Sequence, residues 1–152
     1  MKYWLMKSEP DVYSLDDLRR DKRTWWEGVR NYQARNFMMK DMQVGDGVLF
    51  YHSNAEPPGV AGLARVSQVA APDKTQFDKK SDYYEPKAST EKPVWFCVEV
   101  EYFDSFKEIV SLSDLRAEKK LEGMIVLQKG SRLSVQPVEK KHFDWIQKMG
   151  GL

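Results

Sequence analysis

One cysteine and two histidines are all the soft metal-ligating chemistry in these 152 residues. A lone Cys97 excludes an internal disulfide, and one thiol with two imidazoles does not make a four-ligand zinc set. Neither a metal nor a cofactor is expected. No apolar run approaches the roughly 20 residues of a membrane span. The opening MKYWLMKSEP meets a glutamate and a proline within ten residues, unlike a secretory leader. The expected location is therefore cytosolic, with no membrane partner. Charge of one sign is also missing: the net charge is +1, which gives no global attraction to polyanions. Glycine-rich phosphate loops, nucleophile elbows and the paired histidine and cysteine signatures of base deaminases are absent too. An enzyme would have to be built from His52, Ser53 and Cys97. Cys97 alternates with Phe96 and Val98 in a strand pattern, where a packed thiol is ordinary. No catalytic residue is assigned.

What the chain does have is concentrated between Thr24 and Asn54. Those 31 residues hold two adjacent tryptophans, two tyrosines, two phenylalanines, three asparagines, two arginines and a histidine. Rings beside amides and guanidiniums suit a planar polar ligand such as a nucleobase, which takes a stacking face and in-plane hydrogen bonds. Core packing is the competing use of the same rings. Trp25 and Trp26 lie in a polar, turn-prone context before Gly28, Arg30 and Asn31, so one indole is expected in the core and the other as a platform. From Arg19 to Lys40 there are seven cations against two anions. A basic stretch beside rings is how single-stranded nucleic acids are held, although a solvated face or an acidic protein partner would use it as well.

Length and patterning predict a single domain over 1–152 of mixed α/β class, a small, partly closed β-barrel with short helices packed around it. Strands are read at Lys2 to Lys7, Val48 to Ser53, Val60 to Val69 and Val94 to Phe103. A further strand at Leu133 to Val138 is demoted by Pro137 to an edge or a strand end. Ser14 to Asp17 forms a capping box for a helix ending near Arg20, and Ser111 to Asp114 repeats it before Leu115 to Leu121. Asn31 caps a helix from Tyr32 to Met42, and a last helix around Phe143, Trp145, Ile146 and Met149 stops at Gly150. Ala70 to Lys92, with Tyr83 and Tyr84, lacks periodicity and is read as a lid.

Five segments in order, YWLMKSEP at Tyr3 to Pro10, WEGVRNYQARN at Trp26 to Asn36, GDGVLFYHSN at Gly45 to Asn54, PDKTQFDKKSDYYEPK at Pro72 to Lys87 and RLSVQPV at Arg132 to Val138, resemble the EVE domain family. That family has a PUA-like fold related to the YTH domains that read methylated bases. The resemblance implies a non-catalytic module holding a flipped, modified base of DNA or RNA, a methylated or hydroxymethylated cytosine or a methylated adenine. It implies a pocket from Lys7, Ser8, Trp26, Asn31, Tyr32, His52 and Ser53, with Trp26 as the first aromatic wall. Arg30, Arg35, Lys87 and Arg132 are the expected phosphate contacts. The alternatives are a protein-interaction module using the basic face, or an enzyme acting on a nucleobase.

Overall fold

The computed structural model describes all 152 residues. Six strands form one mixed sheet: β1 (Tyr3–Ser8), β2 (Arg23–Trp25), β3 (Gly47–His52), β4 (Gly59–Pro72), β5 (Phe96–Ser111) and β6 (Val135–Val138). They lie in the order β2-β5-β4-β3-β1-β6. Only β1 and β3 run parallel; every other neighbouring pair is antiparallel.

The sheet does not close into a barrel, and the partly closed barrel is corrected on this point. Its ends are β2, with three residues, and β6, with four, and these two strands do not pair with each other. Pro137 lacks a ladder donor, and it sits in edge strand β6, where that loss is harmless. Curvature comes instead from β4 and β5, whose pairing shifts register at four places. Each extra residue bends its strand and sharpens the local twist.

Period-two alternation sends side chains of the central strands into two cores, one on each face. Trp4, Met6, Val48 and Phe50 enter the first, under α1 (Leu15–Asp21) and α2 (Tyr32–Asn36); Leu5, Leu49 and Tyr51 enter the second, under α3 (Leu112–Ala117) and α4 (Lys140–Met149). β3 is therefore buried along its whole length.

Local chemistry sets the helix boundaries. Ser14 and Asp17 complete the capping box on α1, and the Asn31 side chain accepts from the Ala34 N–H to open α2. The helix expected to run from Tyr32 to Met42 changes at Phe37 into a π-turn, Phe37–Asp41, which buries Met38, and Met42 is buried in extended conformation just past it. The helix expected from Leu115 to Leu121 starts earlier, directly after the Ser111 cap, and ends at Ala117, leaving Lys119–Leu121 as a separate 3₁₀ turn. β5 outruns the expected Phe103 end by eight residues, carried by the bulged pairing with β4. No helix is long and apolar enough to cross a membrane.

The start of β1 is fixed to β3 by Asp46, 3% exposed. Its carboxylate accepts from the Lys2 N–H at 3.1 Å, the Trp4 Nε1–H at 3.0 Å and the Gln43 N–H at 3.0 Å. Removing it leaves these donors without an acceptor, at roughly 1–3 kcal/mol for each one that stays buried. We expect Asp46→Ala to lower unfolding stability by at least about 2 kcal/mol in urea titrations, with Asp46→Asn recovering part of the loss through its one remaining acceptor oxygen.

Candidate functional site

A cleft of about 510 Å³ opens where β1 ends and β2 runs into the segment before α2. Sites for small ligands typically enclose about 300–1,000 Å³. β1 contributes Lys7 and Ser8, β2 and its continuation contribute Thr24, Trp25, Trp26 and Glu27, and Tyr13, Arg30, Tyr83 and Ser134 complete the rim.

Both tryptophans face this space, with burial opposite to expectation. Trp26 is 7% exposed and sits in the first core with its ring edge-on to Phe50 at 5.3 Å, whereas Trp25 is half-buried. The reason is a long-range contact: the Trp26 N–H donates to the Val98 carbonyl, which draws the chain beyond β2 inward. Trp26 is thus both core and cleft floor, and Trp25 is the more accessible ring.

Of the other residues expected in the pocket, Lys7 and Ser8 line the cleft and four do not. Asn31 is spent on its cap. Tyr32, 57% exposed, stacks on Trp95 at 4.8 Å and lies outside the cleft. His52 is buried at the end of β3, its Nε2 accepting from the Leu15 N–H at 3.1 Å, and burial lowers its pKa. Ser53 follows it, its N–H bound to the Ser8 carbonyl. That same bond ties up one backbone acceptor at Ser8, and the Ser8 hydroxyl donates to the Tyr13 carbonyl at 2.6 Å.

The expected phosphate ligands divide in the same way. Lys87 and Arg132 are exposed. Arg35 is committed to the Val94 carbonyl and the Asn36 side chain. Arg30 is a structural latch. It pairs with Asp73 at 3.0 Å, donates to Thr75 and twice to the Tyr83 carbonyl, and lies 5.3 Å from the Tyr83 ring. Tyr83 also packs over Gly28, where an added Cβ would come within 2.8 Å of its ring. Gly28 has a φ of +87°, so any other residue would be strained as well as crowded. Tyr83, though itself partly open to solvent, therefore closes one side of the cleft, whereas its likewise exposed neighbour Tyr84 does not line it.

Tyr13, Thr24, Glu27 and Ser134 also line the site, beyond the residues that the sequence assigns to it. Glu27 stands beside Trp26 in the WEGVRNYQARN segment, which is signal enough to find it; nothing local marks the others. No group of three or more His, Cys, Asp or Glu side chains is placed to hold a metal ion. Cys97 is buried, and its burial, followed by the charges of Asp73 and Glu27, pushes its thiol up to about 12.

The bulged, open sheet, with helices on both faces and a tryptophan-lined, latched cleft, defines a small α/β module. The chain belongs to the EVE domain family, whose profile matches residues 2–149. It is 38% identical to human thymocyte nuclear protein 1 over 162 aligned residues, covering 95% of this chain and 72% of that protein. That relative's name is that of a nuclear protein and lends no support to a cytosolic location. Among solved structures, a hypothetical protein from Leishmania major superposes with a TM-score of 0.95 at 46% identity, covering 99% of this chain and 95% of that one. Human THYN1 protein in complex with 5-methylcytosine-containing DNA superposes with a TM-score of 0.92 at 36% identity, covering 100% and 99%.

The latch carries a pH dependence. Burial pushes the Asp73 carboxyl up, but hydrogen bonds from Thr75, Gly28 and Arg30 outweigh it and hold the group below its ordinary value. A depressed folded pKa contributes stability that is complete above the unfolded value of about 4 and is lost as pH falls through the folded one. Asp73→Asn is expected to flatten this acid limb below about pH 4 in urea unfolding and to lower stability at pH 7, because Arg30 and two backbone donors lose their anion.

Proposed function

We propose that this chain is a nucleic-acid-binding module that takes a flipped, modified base into the cleft and performs no chemistry on it. The carrying observation is the pair of adjacent indoles lining a space of about 510 Å³. The likeness to human THYN1 protein, solved with 5-methylcytosine-containing DNA, supports a methylated cytosine as the base. Lys7, Ser8 and Trp26 remain as pocket residues, joined by Trp25, with Tyr83 as the lid. Lys87 and Arg132 are the phosphate contacts.

Magnitudes decide how such a pocket discriminates. One buried methyl contributes about 0.8 kcal/mol, only about fourfold in affinity. Stacking on a desolvated indole adds about 1–3 kcal/mol, and a base already out of a duplex avoids a flipping cost of a few kcal/mol. A single-stranded or distorted site therefore binds best. Binding without turnover fits the local chemistry: the Cys97 thiol is buried with a raised pKa, and the His52 Nε2 lone pair is occupied by a backbone donor.

The test is a panel of DNA and RNA oligonucleotides, identical except for one 5-methylcytosine, 5-hydroxymethylcytosine, N6-methyladenine or unmodified base. A modified oligonucleotide should bind best and be recovered intact by mass spectrometry; equal binding of all of them, or base excision or deamination that tracks the protein, overturns the proposal. Trp25→Ala should lose the preference and keep the fold, while Trp26→Ala should cost about 3–5 kcal/mol of stability as a buried aromatic.

Phosphate contacts carry no base information. Lys87→Glu with Arg132→Glu should weaken every oligonucleotide by a similar factor and reduce the salt slope by about one unit for each phosphate that is no longer neutralised. A changed preference at an unchanged slope would place these cations in the pocket instead.

A further inference from the structure

Tyr32 is 57% exposed, yet its ring is not loose. An isolated surface tyrosine is ordinary and calls for no function. This one opens α2 on the Asn31 cap and lies on Trp95, with ring centres 4.8 Å apart and planes 26° from parallel. Trp95 is itself buried and fixed at both ends, its backbone N–H donating to the Gln76 side-chain oxygen at 2.8 Å and its indole N–H to Glu85 at 3.1 Å. The stack therefore has an immobile base.

Only one face of Tyr32 is used by that stack. The Arg35 guanidinium lies 4.8 Å from the Tyr32 ring centre and 5.9 Å from that of Trp95. A cation on the outer face of Tyr32 would stand about twice as far from Trp95 as Tyr32 does, so Arg35 sits beside the stack and the outer face is left to water. Arg35 donates to the Val94 carbonyl and to the Asn36 side-chain oxygen, both neutral, and no ion pair offsets its charge. An open ring face, rigidly backed and next to such a cation, can stack a base while attracting its phosphate.

The platform is continuous with the cleft. Arg30, on the cleft rim, lies 5.2 Å from the Trp95 ring, and Trp95 lies 4.8 Å from Tyr32. Those two steps span no more than about three stacked nucleotides at roughly 3.4 Å each. We propose that Tyr32 is a second stacking site, which takes a base flanking the one in the cleft on the same strand. The class of ligand is then a single-stranded or locally unpaired nucleic acid of several nucleotides, and not a lone base or nucleoside. An acidic peptide would satisfy Arg35 and leave the ring face bare; a strand uses both. Every base has a π-face, so Tyr32 adds affinity without base preference. The cleft selects, and Tyr32 holds the strand beside it.

This inference rests on the base-pocket reading, and two readouts separate them: preference for the modified base reports the cleft, and affinity at fixed preference reports Tyr32. Single-stranded oligonucleotides with a central 5-methylcytosine or cytosine, and a matching set with one abasic site moved up to about three positions to either side, are titrated against the wild type, Tyr32→Ala and Tyr32→Trp. Tyr32→Ala should weaken both central bases by a common factor of about 5- to 150-fold with an unaltered salt slope, because a stack is lost and no phosphate contact goes with it. Tyr32→Trp should bind at least as tightly as the wild type. One abasic position should cost the wild type a similar factor and cost Tyr32→Ala almost nothing, which locates the base that the ring receives. That scan uses the wild type and decides the matter even if Tyr32→Ala loosens Trp95. Wild-type affinity that is the same at every abasic position, or a folded Tyr32→Ala that binds as the wild type does, overturns the platform, and a retained preference for 5-methylcytosine then leaves the cleft standing. Equal binding of 5-methylcytosine and cytosine, with the abasic and Tyr32→Ala losses intact, removes the modified-base pocket and keeps Tyr32 as a stacking site.

Discussion

Asp73 is a carboxylate almost wholly removed from water, and it is tolerable there only because four donors converge on it: the Gly28 and Thr75 backbone N–H groups, the Thr75 hydroxyl and the Arg30 guanidinium. Those donors come from the two segments that frame the cleft. Gly28 and Arg30 follow the tryptophan pair, and Thr75 begins the loop that carries Tyr83. A buried charge without partners is prohibitive, so the two segments are held wherever the carboxylate is satisfied. Arg30, fixed at one end by Asp73, binds the Tyr83 carbonyl with the other.

From Arg30 the order continues outward. Its guanidinium lies 5.3 Å from the Tyr83 ring and 5.2 Å from that of Trp95; Tyr32 stacks on Trp95, and Arg35 lies 4.8 Å from Tyr32. A contiguous series of cations and rings runs from the lip of the cleft to the exposed side of α2. Such contacts are modest singly and stiffen a surface when contiguous. The basic stretch that suggests free phosphate ligands at Arg30 and Arg35 is thus partly a scaffold.

What the sequence makes legible follows from range. Strands with strict alternation, the Ser14 capping box, the Asn31 cap and the edge position of Pro137 rest on chemistry within a few residues, and they stand where expected. Each misplacement turns on a distant partner. The Val98 carbonyl decides which indole is buried, the Leu15 N–H takes the His52 lone pair, and Trp95 collects Tyr32, all at separations no local pattern encodes. The family motifs bring Lys7, Ser8 and Trp26 to one cleft, but neighbours along a motif need not face the same way. Asn31 and Tyr32 follow Trp26 closely in the chain and point elsewhere. Whether the sheet closes is not legible in any local pattern, because strand order across β1 and β6 is a whole-chain property.

The position of β1 has a bearing on how the chain is made. Tyr3–Ser8 is the first of these six strands to be synthesised, yet it lies between β3 and β6, and its partner Val135–Val138 is made last among them. Until then one edge of β1 carries unpaired backbone groups beside the fully buried Leu5 and Met6. Pairing at such sequence separation is slow to form and leaves an emerging chain open to edge-to-edge association. The last strand therefore acts as a seal, and its four residues with a proline make a poor template for any further strand.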